Sequence, residues 1–437
     1  MTLQGYRPYG ERKGNDVAGD DRTDGQQRDE VRAWLAENWD PDLSVEDWWR
    51  VVAKAGWTMP HLPVEQGGRG LHRSANGLAR QEFGAAGALR PPGGLGLLMA
   101  APTILAHGTP DQIARFVPPI LAGTVNWCQL FSEPGAGSDL AGLTTRAERD
   151  GDQWVINGQK VWSSMAMSST HGMLLARTDF GVAKHAGISW FAFEIDQPGV
   201  TIRPLREMTG ESVFNEVFFD DAVCADADLI GGQGNGWSVT QTTLFFERSG
   251  LATGGHAAWP VPGPKGGFLG RIAGEAAREP MPSANLIVSY PDLVALAQQR
   301  GRASDPHLRQ GLTQLYMWGK IAQWNADRAK ADAAAGKESS AANLGKLIQT
   351  KITKSSASLC MDILGPDGML AEPDGAEGGR FSTAMVFSAA SSIYGGTDEI
   401  QRNIVAERGL GLPRQDLPGK GEPYGDVLRS IQQRGDR

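Results

Sequence analysis

NWCQLFSEPGAGSDLAG, residues 126–142, and WVINGQKVWSSMAMSSTHG, residues 154–172, form the stretch around which the chain is organised. The first segment packs Pro134, Gly135 and Gly137 among the small hydroxyls of Ser132 and Ser138. A turn of that composition leaves backbone N–H groups and hydroxyls free to hold polar ligand atoms closely. The second sets Trp162 beside Ser163 and Ser164, an apolar plane next to hydrogen-bond donors, which suits a planar heterocycle. From residue chemistry alone, Ser132 and Ser138 equally fit an ordinary hydrogen-bonded turn, and Trp162 a core aromatic.

Upstream, residues 26–38, 43–55, 75–86, 95–107 and 110–121 carry helical patterning, interrupted by the Pro- and Gly-punctuated loop at 56–70. They read as an N-terminal helical domain, 25–124, behind a loose arm, 1–24, that is charged and rich in Gly and Asp. From Val125 the period changes. Segments 151–156, 172–176, 188–195, 200–204 and 213–223 alternate or run apolar between Gly, Asp and Pro turns, the pattern of a central β domain over 125–235. Such short strands need helices on either side to cover them. Helical patterning returns at 238–253, 290–300, 306–334, 339–364 and 381–393, which predicts a C-terminal bundle within 236–437. Gly395 and Gly396 stop the last of these helices, and Thr397 is placed to cap a restart through Asp398 and Glu399. Residues 259–290 are too rich in Pro and Gly for a core helix and read as an insertion or mobile loop. The fold class expected is α+β.

The chain has 437 residues, enough for two or three domains, and its 42 Lys plus Arg against 50 Asp plus Glu give a net charge of -8. Without a basic field, nucleic acid and anionic membrane surfaces are not expected partners. Cys128, Cys224 and Cys360 are far apart and form no CxxC, as expected of reduced structural thiols. The first residues hold no apolar signal core, and the most apolar segment, near 95–106, is short and interrupted by Pro102. A cytoplasmic protein with no membrane span is the expectation. His107 and His171 join no metal-ligand spacing, and HExxH, GxSxG and P-loop motifs do not occur, so no metal is expected. GGQGNGW at 231–237 lacks the dinucleotide fingerprint, because position 237 is Trp and no βαβ unit surrounds it. A flavin would therefore not sit in a Rossmann fold.

Three motifs in register, FSEPGAGSDLAG at 131–142, INGQKVWSS at 156–164 and SIYGGTDEIQRNIVAERGLGLP at 392–413, resemble the acyl-CoA dehydrogenase family across about residues 25–415. The resemblance implies FAD bound between the β domain and the bundle. Gln129, Leu130, Phe131 and Ser132 would line the flavin, with Ser132 near N5. Trp162 would pack beside the isoalloxazine, Ser164 would donate to its polar edge, and Ser138 would meet the pantetheine or phosphate portion of acyl-CoA. In the family, the dinucleotide half of FAD reaches a neighbouring subunit. Arg302 resembles the arginine that meets its pyrophosphate, DILGPDGM at 362–369 resembles the adjacent glycine loop, through Asp362, Gly365 and Pro366, and Thr397 and Glu399 fall near the adenosine end. The chain departs from the family here: Pro366 replaces a glycine, Asp362 stands where Gln is common, and Asp305 and Pro306 stand where Phe-Gly is usual.

Dehydrogenation of a thioester needs a base for the α-proton and an acceptor for the β-hydride. Many relatives carry that base in a Tyr-Glu-Gly-Thr sequence, but here the corresponding residues are Tyr394, Gly395, Gly396 and Thr397. Glu247, beside Arg248 in LFFERSGL at 244–251, matches the alternative placement in the isovaleryl and long-chain subgroup. An acid in so apolar a run is either paired, with an arginine from another helix for instance, or functional. The resemblance implies Glu247 as catalytic base, with Arg248, Tyr394 and Gly395 joining Ser138 around the substrate. It further implies oxidation of a saturated acyl-CoA to trans-2-enoyl-CoA, an electron-transfer flavoprotein or equivalent acceptor, a place in fatty acid and lipid metabolism, and a homotetramer or homodimer. A heteromer is the alternative assembly. The competing readings are an acyl-CoA oxidase using oxygen and a non-catalytic structural subunit of a heteromeric dehydrogenase.

Overall fold

The structure is a computed structural model describing residues 22–72, 74–252, 263–264, 267–279, 287–335, 339, 344–371, 374–415 and 419–435. Most of the expected arm, 1–21, and much of the 259–290 segment lie outside these residues. Helix α1 (Asp24–Asn38) starts at a capping box, in which Thr23 accepts from the Gln26 backbone and Gln26 bonds back to Thr23. With α2 (Val45–Lys54) and α3 (Ala75–Ala85) it encloses an aromatic core of Trp48, Trp49, Trp57 and Phe83. The indole N–H groups of Trp48 and Trp49 donate to the Leu89 and Arg90 carbonyls at 2.7 and 2.9 Å, so the buried rings leave no polar debt at those atoms.

The expected helix at 95–107 divides in two. Gly96–Ala100 forms a π-helical turn, and α4 (Ala101–His107) follows. Pro102 is the physical reason: it has no N–H to offer the preceding turn, and its ring crowds the carbonyl behind it. Helix α5 (Pro110–Leu121) opens with a second capping box, Thr109 with Gln112, whose side chain also donates to the Ala227 and Leu229 carbonyls at 2.8 and 3.0 Å. Thr109→Ala is expected to cost about 1 kcal/mol, read as a small fall in unfolding midpoint with the flavin spectrum unchanged.

The strands are β1 (Trp127–Leu130), β2 (Arg146–Asp150), β3 (Gln153–Lys160), β4 (His171–Arg177), β5 (Ile188–Glu194), β6 (Val200–Leu205), β7 (Phe214–Ala225) and β8 (Leu229–Ile230). They form one sheet in the order β6-β7-β3-β2-β4-β5-β8, with β1 added parallel to β4 so that Gln129 faces Met173. Period-2 patterning anticipated five of these strands; β1, β2 and β8 are too short or too polar to announce themselves. Strand β5 is buried on both faces. Ile188, Trp190 and Ala192 join the core shared with α4 and α5, while Phe191 and Phe193 pack with Trp154, Val217 and Phe219.

Helix α6 (Gly236–Ala252) crosses the sheet at β5. A Cβ on Gly236 would stand 2.5 Å from Ser189 Cα, so the glycine serves close helix–strand approach. Helix α7 (Ala273–Arg278) corrects the mobile-loop reading of 259–290. Val45 N donates to the Arg271 carbonyl at 2.8 Å and Ala273 N to the Leu43 carbonyl at 2.8 Å, and Leu269, Ala273 and Ala276 enter the N-terminal core. Their small and apolar side chains supply the driving force that local Pro and Gly content concealed. The bundle comprises α8 (Tyr290–Gln299), α9 (Pro306–Ala334), α10 (Gly345–Leu364), α11 (Arg380–Ser388) and α12 (Asp398–Ile404). The helix expected to reach residue 393 loosens into a 3-10 turn, Ala389–Ser392. Gly395 and Gly396 follow at φ 64° and 88°, and the Thr397 hydroxyl accepts from Ile400 N at 3.2 Å, the stop and cap that the sequence predicts. Helix α13 (Tyr424–Gly435) leaves the bundle and lies on the β domain, a departure from the expectation that 236–437 forms one unit.

Candidate functional site

The FSEPGAG turn is fixed from beneath by a buried ion pair. Lys160, at the end of β3, has no exposed surface; its Nζ donates to Glu133 Oε1 at 2.8 Å and to the Phe131 carbonyl at 3.1 Å. Glu133 also accepts from Thr144 N at 2.7 Å and Thr145 N at 2.8 Å. Burial alone would raise the Glu133 carboxyl, but Lys160 and the bonds from Thr145 and Thr144 outweigh it and hold the group down at about 2. The Ser132 carbonyl accepts from Val161 N at 2.9 Å, so Phe131 and Ser132 are pinned to the strand that leads into Trp162.

Trp162 is not a core residue. It is 57% exposed, sits at φ 60°, and meets Phe214 edge-on at 5.7 Å. A bulky side chain held in the left-handed region and left open to solvent is the kind of strain that marks a ligand surface. Beside it Ser163 is fixed by reciprocal backbone bonds with Asn215, at 3.0 and 3.2 Å, and its buried hydroxyl has no partner. Ser164 is half-buried and Met167 exposed. An exposed indole with neighbouring hydroxyls fits the isoalloxazine half of FAD.

The surroundings of the acid are built from four elements. Glu247, on α6, is part-buried, and Gln129 Nε2 on β1 donates to its Oε2 at 3.4 Å. Burial raises the Glu247 carboxyl above its usual range, while Gln129, Arg248 and Lys346 pull in the opposite direction. Lys346 is a residue the sequence reading missed. On the first turn of α10, its Nζ donates to Thr350 Oγ1 at 3.0 Å and to the Ser391 carbonyl, and lies 5.2 Å from the Tyr394 ring centroid. No local motif marks it; a basic residue in an otherwise apolar helix start was the available signal. Burial lowers the Lys346 ammonium, against the attraction of Asp398 and Glu247. Burial likewise lowers Arg248, against Glu247, with Arg408 adding to the depression, and burial raises Tyr394. Gln129, Glu247, Lys346 and Tyr394 thus converge from β1, α6, α10 and the turn before α12. Gly395 follows in the left-handed region, its carbonyl accepting from Gln401 Nε2 at 3.0 Å.

The other expected cofactor contacts fit an anion poorly. Arg302 donates to the Asp362 carbonyl at 2.5 Å and the Ile363 carbonyl at 3.2 Å, and pairs with Asp305 at 3.0 Å. Arg300 pairs with Asp367 at 2.6 Å, next to the Gly365 and Pro366 turn. Cations already neutralised, with three aspartates nearby, make a weak seat for a pyrophosphate. Glu399 is exposed and pairs with Arg402 at 3.4 Å, while Thr397 is engaged as the helix cap. Leu130 is buried in the sheet core, so only its backbone is available for a ligand. Ser138 is exposed at the tip of its turn. His171 stacks on Trp127 at 5.0 Å, and burial lowers it to about 4. Among the described residues no cluster could hold a metal, and no helix is long and apolar enough to cross a membrane.

A helical domain, a mixed sheet and a helical bundle, one carrying an exposed indole and another a part-buried carboxylate, have the architecture of the acyl-CoA dehydrogenases, FAD oxidoreductases acting on acyl-CoA thioesters. The family's N-terminal, middle and C-terminal domains match residues 24–124, 128–222 and 288–410, and the chain belongs to the acyl-CoA dehydrogenase family. It is 39% identical over 406 residues to acyl-CoA dehydrogenase IpdE1 of Mycobacterium tuberculosis, covering 89% of this chain and 97% of that protein. It is 37% identical to acyl-CoA dehydrogenase FadE34 of the same organism, over 83% of this chain and 46% of that one. Among solved structures, the Tcur3481-Tcur3483 steroid ACAD superposes with a TM-score of 0.69 at 26% identity, covering 90% of this chain and 98% of that one. The ChsE4-ChsE5 complex of Mycobacterium tuberculosis gives a TM-score of 0.64 at 26% identity, with the same coverage of 90% and 98%.

Proposed function

We propose that the chain oxidises a saturated acyl-CoA to the trans-2-enoyl thioester, with Glu247 as the base for the α-proton. The observation that carries this reading is the Glu247 carboxyl itself, raised by burial and held by Gln129 from the strand that leads into the Phe131–Ser132 turn. A carboxylate whose proton affinity is raised by burial is a better proton acceptor than a solvated one. Arg248 and Lys346 oppose the rise that burial imposes on it. Gln129, Phe131, Ser132, Trp162 and Ser164 hold the flavin, the backbone at Leu130 completes that wall, and Ser138 meets the CoA arm. FAD, when bound there, supplies the hydride acceptor. Tyr394 and Gly395 border the acyl group, and a glycine at 395 leaves room for an α-branched or ring-bearing one. The likeness to the Tcur3481-Tcur3483 steroid ACAD supports a ring-bearing thioester.

The engaged state of Arg302 favours assembly with a second, different chain over a homotetramer or homodimer. Both solved relatives named above carry two chain names, which supports the same reading. Asp362, Gly365, Pro366, Thr397 and Glu399 then serve the turn and its cap more than a neighbour's adenosine. An electron-transfer flavoprotein or equivalent is the acceptor that this chemistry requires.

Anaerobic titration with straight-chain, α-branched and ring-bearing saturated acyl-CoAs tests the reading by flavin bleaching. Bleaching is expected with a ring-bearing thioester, and its rate should fall on the acid side with a midpoint above the ordinary glutamate range, because only ionised Glu247 accepts the proton. A yellow protein bleached by none of them would sink the assignment.

A further inference from the structure

The end of the chain reaches back to the turn that carries Ser138. Pro423 bridges Ala183, Tyr424 N donates to the Val182 carbonyl and Gly425 N to the Phe180 carbonyl, each at 2.9 Å, and this seats the start of α13 on the β domain. Tyr424 is thereby 4% exposed, its ring centroid 4.0 Å from the Arg177 guanidinium. Arg177 is wholly buried at the end of β4 and spends its donors on backbone carbonyls. Its Nη2 reaches Ala141 at 2.7 Å, its Nε reaches Leu143 at 3.2 Å, and its Nη1 reaches Lys184 at 2.9 Å. The carbonyl between the first two, that of Gly142, accepts from the Tyr424 hydroxyl at 2.8 Å. Three successive carbonyls, 141 to 143, are therefore held by two side chains, one of them from the C-terminal helix. Lys184 closes the other end of the turn by pairing with Asp139, the residue after Ser138.

A turn restrained at consecutive carbonyls has little freedom to reorient the residues that precede it, and preorganisation of that kind improves binding without a new ligand contact. Burial pulls the Arg177 guanidinium down to about 10, the cost of a cation buried among carbonyls rather than against a carboxylate, and the Tyr424 ring supplies a compensating π face. We propose that Tyr424 is a positioning residue for the CoA-binding turn, so that the C-terminal helix forms part of the thioester site without touching the ligand. The proposal rests on the assignment of Ser138 to the CoA arm.

The test is calorimetric titration of the flavin-loaded protein with coenzyme A, which reads the CoA arm whatever the acyl group. Tyr424→Phe keeps the ring over Arg177 and removes only the bond to Gly142; its affinity should fall about 3-fold. Tyr424→Ala uncovers the guanidinium, and a loss of ~10-fold or more is expected. Flavin content of the Phe variant should match the wild type, and its unfolding midpoint should fall only slightly, by the loss of one buried hydrogen bond. Affinity equal to wild type in the Phe variant overturns the proposal, whatever the Ala variant does to stability. A wild-type protein that does not bind coenzyme A at all removes the proposed function and this inference together.

Discussion

Glu247→Gln is expected to slow flavin bleaching by a productive acyl-CoA by ~1,000-fold, since a positioned general base contributes on the order of 100- to 10,000-fold. Gln is isosteric and can still accept from Gln129, so the visible spectrum, the flavin content and the affinity for coenzyme A should stay as in the wild type. Stopped-flow absorbance under anaerobic conditions measures the rate directly. The acid limb of the pH profile should vanish with the carboxyl. Equal bleaching rates in the two proteins would move the base elsewhere. The prediction follows from geometry as much as from sequence: Gly395 offers no acid, and Glu247 lies on a helix in contact with both the sheet and α10.

Lys160→Met is the second large effect, and it acts through stability. The substitution leaves Glu133 buried at 7% exposure without its cation, a situation that costs about 3–5 kcal/mol. A marked fall in unfolding midpoint and loss of flavin during purification are expected, because the Phe131 carbonyl loses its Nζ donor in the turn proposed to line the cofactor. The double variant Lys160→Met with Glu133→Gln should recover part of the loss, since a neutral amide leaves no unpaired buried charge and its single oxygen can still accept from one of the Thr144 and Thr145 N–H groups. A single variant as stable as wild type would show that the pair is dispensable. The pH dependence has a definite sign. Glu133 titrates near 2 in the folded protein against an ordinary 4.5, so its contribution is complete above the unfolded value and is lost as pH falls from about 4.5 toward 2. In the Glu133→Gln background that acid limb should be shallower.

Several features were readable in local pattern because their causes are local. Period 3.6 gave way to period 2 after Val125, and helical spacing returned after the sheet, since each side chain's burial follows from its own place along a helix or strand. Gly395 and Gly396 ended a helix because the backbone there must turn left-handed, and Thr397 capped the next because its hydroxyl reaches three residues ahead. Where the cause was a neighbour far along the chain, pattern misled. The Pro- and Gly-rich 259–290 segment contains α7, whose reason to form is the tryptophan-lined core more than 200 residues upstream. For Trp162 the residue chemistry left a ligand surface and a core aromatic equally open, and its 57% exposure rules out the core.

The sequence by itself determined the order of helices, strands and helices, the family motifs, and which acids were candidates. Its glycines and prolines set where the backbone can turn, and its apolar periods set which faces must be buried. Only the tertiary structure decided that Gln129, Glu247, Lys346 and Tyr394 share one neighbourhood, that the Asp362 and Ile363 carbonyls engage Arg302, and that Tyr424 reaches the Gly142 carbonyl 282 residues away in sequence. Electrostatic coupling and hydrogen bonding depend on ångström separations in space. Those separations are fixed by how the elements pack, and no local period encodes them.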